Sequence, residues 1–416
     1  MIVSTLILII SFIFIAFEKL PKVTVAMIGG ALTLALGLIP KERAFYHVDF
    51  SVIFLLVSMM IIVHIANRSG MFKWLAINIL KKIGAKPKII LLALCTLTAV
   101  LSAFLDNVTT VFLVIPVTFI IAKEIEINPV PFLLCEVLAS NIGGTATLIG
   151  DPPNIIIGSA AGLSFMDFVK ELTPVIILIY LASMALLLLL FRKELVCKPE
   201  LNKNIENLDN SKSIKDSNLA IRSIIVLSLV IIGFILRDVI HIEAYIVAFL
   251  GASVLLLFEK PKQILHDVEW MTVFFFIGLF LIIGGFIETG GIDLLAHQLI
   301  KLTNGNLKVA AMVILWGSGF LSALIDNIPY TATMTPLIKQ LSTNMNIHPL
   351  WWCLSLGACL GGNATVIGAA ANIIVAEASR ASGYPISFFK FMKYGVLVTI
   401  VSLVISSFYI YLRFLC

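Results

Sequence analysis

The chain has 416 residues, 60% hydrophobic and 13% charged, with a mean hydropathy of +1.07. That exceeds what a soluble core of this length needs, and a bilayer is its natural solvent. The formal net charge of +5 does not point to nucleic acid, because the basic residues fall in connections between apolar runs.

A membrane helix needs about 20 mostly apolar residues, and such runs recur along the whole chain. The first, residues 1–17, lacks a basic n-region and a small-residue cleavage site, so it reads as a retained span and not a signal peptide. Spans follow at 23–39 and 51–67, then an amphipathic stretch at 70–84 and a paired segment at 87–122. A span at 130–161 is broken in its middle, and another occupies 172–191. Residues 196–219 form the long polar segment, read as a flexible cytoplasmic linker. Beyond it the order repeats: spans 220–237, 242–258 and 269–287, amphipathic 290–302, paired 307–342, broken 348–379, and a last span 388–412.

The repetition is visible residue by residue. VDFSVIF from Val48 aligns with VEWMTVF from Val268, and LSAFLDN from Leu101 with LSALIDN from Leu321, both displaced by 220 positions. GGTATLIGDPPN from Gly143 aligns with GGNATVIGAAAN from Gly361 at a displacement of 218. Residues 1–195 and 220–416 are therefore read as two copies of one unit. The paired segments carry Asp-Asn at their centre and are read as re-entrant hairpins, which leaves five crossings per copy. An odd number places the second copy upside down. The expected fold is an all-α polytopic membrane protein of two inverted repeats, each with five transmembrane helices and one re-entrant hairpin, with broken helices at the midplane.

Orientation follows from the basic residues. Arg68, Lys73, Lys81, Lys82, Lys86 and Lys88 cluster without an acid after the third span, whereas the matching stretch holds Glu288, Asp293, Lys301 and Lys308. The first arm is then cytoplasmic and both termini lie outside. The six cysteines form no CxxC and lie mostly in apolar runs, where cysteine acts as a small hydrophobe.

An Asp at mid-membrane costs about 2.5–3.5 kcal/mol, so it persists where it meets a partner or a wet cavity. Asp106 and Asp326 are such residues. Each is followed by Asn (Asn107, Asn327) and by hydroxyls (Thr109 and Thr110; Thr331 and Thr333) at the turn of a hairpin. Oxygen groups at broken helix ends hold Na⁺ or a proton in such folds; the competing role is a helix N-cap. The second constellation surrounds the breaks. Gly143 and Gly144, and Gly361 and Gly362, interrupt a helix in the membrane, which is tolerated only where protein or a water-filled cavity satisfies the backbone. Asn141, Thr145, Thr147, Asn154, Asn363, Thr365 and Asn372 add polar side chains there. The copies differ at Asp151-Pro152-Pro153, which becomes Ala369-Ala370-Ala371. Glu136 is either a proton relay or a buried acid paired with a hydroxyl. His64 reads as a satisfied core histidine. No Lys or Arg falls inside the central segments, so an anion there is expected to rely on helix N-termini alone. GxxxxGK[ST], HExxH and a nucleophile elbow are all missing, so an enzyme is not expected.

At SAFLDNVTT from Ser102, LASNIGGTATLIGDPPNIIIG from Leu138 and GACLGGNATVIGAAAN from Gly357, the chain resembles the ArsB/NhaD branch of the ion transporter superfamily. That branch holds arsenite permeases, NhaD-type sodium/proton antiporters and the melanosomal P protein. The resemblance implies a dimerising scaffold and an elevator-like transport domain in the cell membrane. It implies H⁺ or Na⁺ as coupling ion, with Na⁺ held at Asp106/Asn107 and Asp326/Asn327, and no cofactor or further metal. The implied substrate is a small inorganic ion or oxyacid. Arsenite/antimonite efflux comes first, with a soluble ATPase subunit as the partner that this activity would bring. Sodium/proton antiport and anion (chloride or carboxylate) transport or a channel are the alternatives. Distant dicarboxylate/sodium symporters carry Ser-Asn-Thr at the hairpin tips, where this chain has Asp106-Asn107-Val108 and Asp326-Asn327-Ile328; that departure argues against a dicarboxylate.

Overall fold

The computed structural model describes residues 1–17, 20–83, 86–124, 126–195 and 213–416, and the described chain is helical throughout. The predicted linker lies outside the described residues up to residue 212, and so does Cys197. Numbering the helices of ten residues or more in chain order, the first half holds α1 (Ile2–Phe17), α2 (Lys22–Ala35), α3 (Phe50–Arg68), α4 (Met71–Ile83), α5 (Pro87–Phe104), α6 (Asn107–Glu124), α7 (Val130–Gly144), α8 (Pro152–Ala161) and α9 (Thr173–Leu190). The second half holds α10 (Ser217–Ile235), α11 (Ala244–Leu256), α12 (Trp270–Glu288), α13 (Gly291–Thr303), α14 (Leu307–Leu324), α15 (Asn327–Leu341), α16 (His348–Gly361), α17 (Ala370–Ala381) and α18 (Phe388–Ile410). Eight of the described helices are long and apolar enough to cross a membrane, and this is a multi-pass membrane protein. The apolar residues that stay exposed, such as Ile2, Leu6, Ile9 and Ile13 on α1, are those a lipid-facing surface supplies.

Helix starts are set by polar residues at the ends of apolar runs. Asp49 accepts hydrogen bonds from the Ser51 and Val52 amides and begins α3; Asp216 and Asn306 do the same for α10 and α14. The hairpins turn at Leu105-Asp106 and Ile325-Asp326, where the chain goes extended for too few residues to do anything but reverse. Each arm of the first hairpin has 18 residues, about 27 Å at 1.5 Å per residue.

The two halves interlock. α2 lies along α12 and α11 along α3, so the second helix of each half packs on the third of the other. The equivalent helices α3 and α12 run antiparallel to each other. His47, just before α3, would meet a side chain added at Gly284 near the end of α12. His64, near the end of α3, lies 3.0 Å from Asp267, just before α12 begins. α1, α2, α3, α10, α11 and α12 form one packed group. α5 to α9 and α14 to α18 form another, with α4 and α13 between them.

Without a hydrophobic force between helices in lipid, close approach depends on small residues. A Cβ added at Gly278 of α12 would sit 2.5 Å from the Ala26 carbonyl of α2, both backbone groups with nowhere to go. Gly278→Ala is expected to cost about 1–3 kcal/mol through overpacking. Gly317→Ala, with nothing within 4 Å of its added methyl, is expected to gain up to about 1 kcal/mol of helix propensity. Equilibrium unfolding in mixed micelles measures both, and equal effects would remove the close-approach explanation.

Candidate functional site

Both breaks are closed by the same device. After α7 ends, residues 145–151 run without regular helix until Pro152 starts α8, and Asn154 Nδ2 donates to the carbonyls of Thr145 and Thr147 at 3.1 and 2.8 Å. In the second half, Asn372 Nδ2 donates to the carbonyls of Gly362 and Thr365, each at 2.8 Å. The threonines of the breaks tie them to the hairpins. The Thr147 hydroxyl donates to the Ala103 carbonyl, and the Thr365 hydroxyl to the Ala323 carbonyl at 2.6 Å. Thr145 caps the end of α7 through its own hydroxyl and the Asn141 carbonyl, 2.7 Å apart. The glycines serve close packing. A Cβ at Gly143 would strike the Ala99 backbone of α5, and one at Gly361 the Gly319 backbone of α14. Gly144 and Gly362 likewise sit against Gly150 and Gly368 across their own breaks.

The hairpin tips and the breaks meet at one carboxylate. Asn107 Nδ2, from the first tip, donates to Asn141 Oδ1 at 3.2 Å and Asp151 Oδ1 at 3.3 Å. Asn327 Nδ2, from the second tip, reaches both Asp151 oxygens at 3.3 Å. Asn141 Nδ2 crosses to the other half, donating to Asn363 Oδ1 at 2.8 Å and Asn372 Oδ1 at 3.0 Å. Asp151 and all five of these asparagines are buried. Asp151 and these five asparagines, drawn from both halves, therefore form one connected network, with α8 and α17 starting at its edge.

Asp106 and Asp326 do not touch each other, and both are caps. Asp106 accepts from the Thr109 amide at 2.8 Å and the Thr109 hydroxyl at 2.5 Å; Asp326 accepts from the Ile328 amide at 3.1 Å. Their surroundings differ. Asp326 Oδ2 lies 2.5 Å from Lys22 Nζ, a basic side chain that reaches the second hairpin tip although none falls inside the central segments. Lys22 sits outside the central segments in sequence, and α2 brings it there by packing on α12. Ser355 was also missed: its hydroxyl donates to Asn154 Oδ1 at 2.6 Å from α16, and an isolated serine in an apolar helix gives no pattern to read. Thr110 and Thr331, one on each hairpin, keep buried hydroxyls without a hydrogen-bond partner among the described residues. Buried polar groups are nearly always paired, so such orphans mark places where a ligand or water fits.

Glu136 stands apart from this network, its Oε1 accepting from the Thr118 hydroxyl at 2.6 Å, the paired-acid arrangement. His64 is corrected: it is partly exposed beside Asp267, not a core histidine among apolar neighbours. The five described cysteines are free. Among the described residues no group of three or more His, Cys, Asp or Glu side chains is placed to hold a metal ion.

This architecture, helices broken inside a membrane around a buried polar network, defines a multi-pass membrane transporter. The sequence pattern of the family described as citrate transporter matches residues 12–357, and the chain belongs to that family. It is 41% identical over 424 residues to a 46 kDa membrane protein of Mycobacterium leprae, covering 100% of this chain and 99% of that one. An uncharacterized transporter of Mycobacterium tuberculosis is 41% identical over 423 residues, covering 99% and 98%. The human P protein is 32% identical over 496 residues, covering 98% of this chain and 59% of the longer P protein.

The network rests on Asp151 as shared acceptor. Asp151→Ala strands two buried amides and is expected to cost about 1.5–3 kcal/mol, more than Asp151→Asn, which keeps one acceptor oxygen. Thermal unfolding of the detergent-solubilised variants checks the order; Asn and Ala behaving alike would mean that the tips do not depend on this group.

Proposed function

We propose that this chain is a secondary transporter in which the Asp151 network binds a small ion or oxyacid, coupled to H⁺ or Na⁺. The observation that carries the reading is the convergence of both hairpin tips on one buried carboxylate, from two halves of opposite direction. The packed group of α1–α3 and α10–α12 would serve as a dimerising scaffold. The hairpins and broken helices would move along it as the elevator, entering the membrane as re-entrant pairs. The cell membrane is the proposed location.

Arsenite or antimonite suits the centre on chemical grounds. Both are neutral polyhydroxyl acids near pH 7, and amides supply the donors and acceptors they need without a matching charge. An arsenite permease would also bring a soluble ATPase subunit as partner. Sodium/proton antiport is the alternative that uses the carboxylates alone. The citrate in the family's name supports a third reading: a tricarboxylate would face Asp151 while Lys22 is held by Asp326, so it would have to enter neutralised by protons or a metal ion. Thermal stabilisation of the purified protein by arsenite, antimonite, Na⁺, Li⁺, chloride and citrate across pH separates these readings, because a ligand that binds only the folded state raises its stability. Glu136 enters as a proton relay only if Glu136→Gln, which keeps a hydrogen-bond partner for Thr118, abolishes proton-driven flux.

Asp106→Asn isolates charge from structure, since Asn caps helices as well as Asp does. Gradient-driven flux into proteoliposomes is expected to fall about ten-fold or more, equivalent to about 1.4 kcal/mol of ion binding, with an unchanged unfolding temperature. Normal coupled flux would remove Asp106 from the mechanism.

Both termini are proposed to lie outside. Cys416 is exposed and the other described cysteines are buried. In a Cys197→Ser background, a membrane-impermeant maleimide added to intact cells is expected to label the chain at Cys416; labelling only after permeabilisation reverses the orientation.

A further inference from the structure

The two hairpin-tip carboxylates are alike in sequence and unlike in surroundings. Lys22 Nζ lies 2.5 Å from Asp326 Oδ2, with the two side chains 23% and 4% exposed. Asp106 is more open, and among the described residues its carboxylate takes hydrogen bonds from Thr109 alone, with no basic nitrogen within 4.0 Å. The cause is readable in the duplication. At the 220-residue displacement, Lys22 lies over Ile242, and the helix that starts there, α11, follows Glu243 instead of a basic residue. At the matching position the second half therefore offers Asp106 no ammonium of the kind that α2 gives Asp326.

A cavity of about 330 Å³ stands beside Asp106, lined by His64, Asn67, Thr109, Asp267 and Glu269. Thr109 is the residue whose hydroxyl bonds Asp106. The mouth is polar, with the Asp267 side chain 43% exposed. The charged groups that face it come from two elements. α3 contributes His64, 3.0 Å from Asp267, and the segment before α12 contributes Asp267 and Glu269. Arg68, paired with Glu259 at 3.4 Å, lines a second cavity with Lys262 and His266, and the two cavities share His64 and Asp267. The His266 hydrogen bond holds Asp267 below the usual carboxylate range, so it stays ionised. Burial, and then the nearby Asp106, push Glu269 up, as two acids without a cation between them must do. One residue beyond Thr109, at the same hairpin tip but outside the lining of the cavity, the fully buried Thr110 hydroxyl has no partner among the described residues. The Asp106 carboxylate, the Asp267 and Glu269 carboxylates of the cavity and this unmet hydroxyl describe a place for a small hard cation.

We infer that Lys22 neutralises Asp326 from within the chain, while Asp106 takes its counter-charge from an exogenous monovalent cation, Na⁺, that enters past Asp267 and Glu269. The duplicated tips thus bind one external cation, not two. The inference rests on the transport reading above and deepens it, making Lys22 a residue that sets the number of coupling ions.

Equilibrium binding of radiolabelled Na⁺ to the purified full chain at pH 8.5, where carboxyls ionise, tests it. Wild type is expected to bind one Na⁺, Asp106→Asn none, and Lys22→Met two, because removing the ammonium opens Asp326 to the ion. The double variant Lys22→Met/Asp326→Asn returns to one and controls for any folding defect of Lys22→Met alone. A wild type that binds two or none, an Asp106→Asn variant that still binds, or a Lys22→Met count equal to wild type overturns the inference. Flux in the same preparations is read separately. Loss of gradient-driven flux in wild type sinks the transport reading, while the binding counts continue to judge the pairing.

Discussion

An interrupted helix in hydrocarbon must find partners for its freed backbone groups inside the protein, and the rest of this structure depends on how two asparagines meet that demand. Asn154 and Asn372 each place one amide across the break before it, holding two carbonyls that would otherwise cost several kcal/mol apiece in lipid. With the carbonyls held, the starts of α8 and α17 can point at the centre without unravelling. Their amide oxygens remain free to accept: Asn154 from Ser355, Asn372 from Asn141. A closure inside each half is in this way also a joint between halves.

Duplication supplies the frame and divergence supplies the chemistry. Two tips, two breaks and two clamps recur, but a carboxylate occupies only one of the two matching positions, Asp151 against Ala369. With Ala369 in place, both tip amides can turn to the same group. Lys22 against Ile242 is the same kind of divergence, and it extends the difference in charge from the breaks to the packed group that holds α2 and α11.

The spans were legible because apolar length and polar interruption are one-dimensional signals. The first and last residues of α3, α4 and α13 fall within one or two positions of the apolar pattern. The central asparagines were legible because they recur at matched positions in a setting that penalises them. Lys22 was not, since its partner lies 304 positions away and nothing in the start of an apolar helix tells where a long side chain will reach. His64 was misread for a related reason: its neighbours in sequence are apolar, but the acid beside it comes from the loop before α12. Contacts along a segment can be read from a sequence; contacts made by packing one repeat on the other cannot.

The placement of Lys22 bears on how a moving body could be held and released. It belongs to α2, which packs on α12 in one group of helices, while Asp326 belongs to the hairpin of the other. A displacement of one group along the other has to part them. Breaking a buried pair by removing one partner typically costs about 3–5 kcal/mol, so the parted carboxylate needs a substitute charge at once. An arriving proton supplies one, and a substrate anion can meet the ammonium in the same step. Translocation without a ligand then meets a barrier that translocation with one does not, which is the condition a coupled carrier has to satisfy and a channel does not.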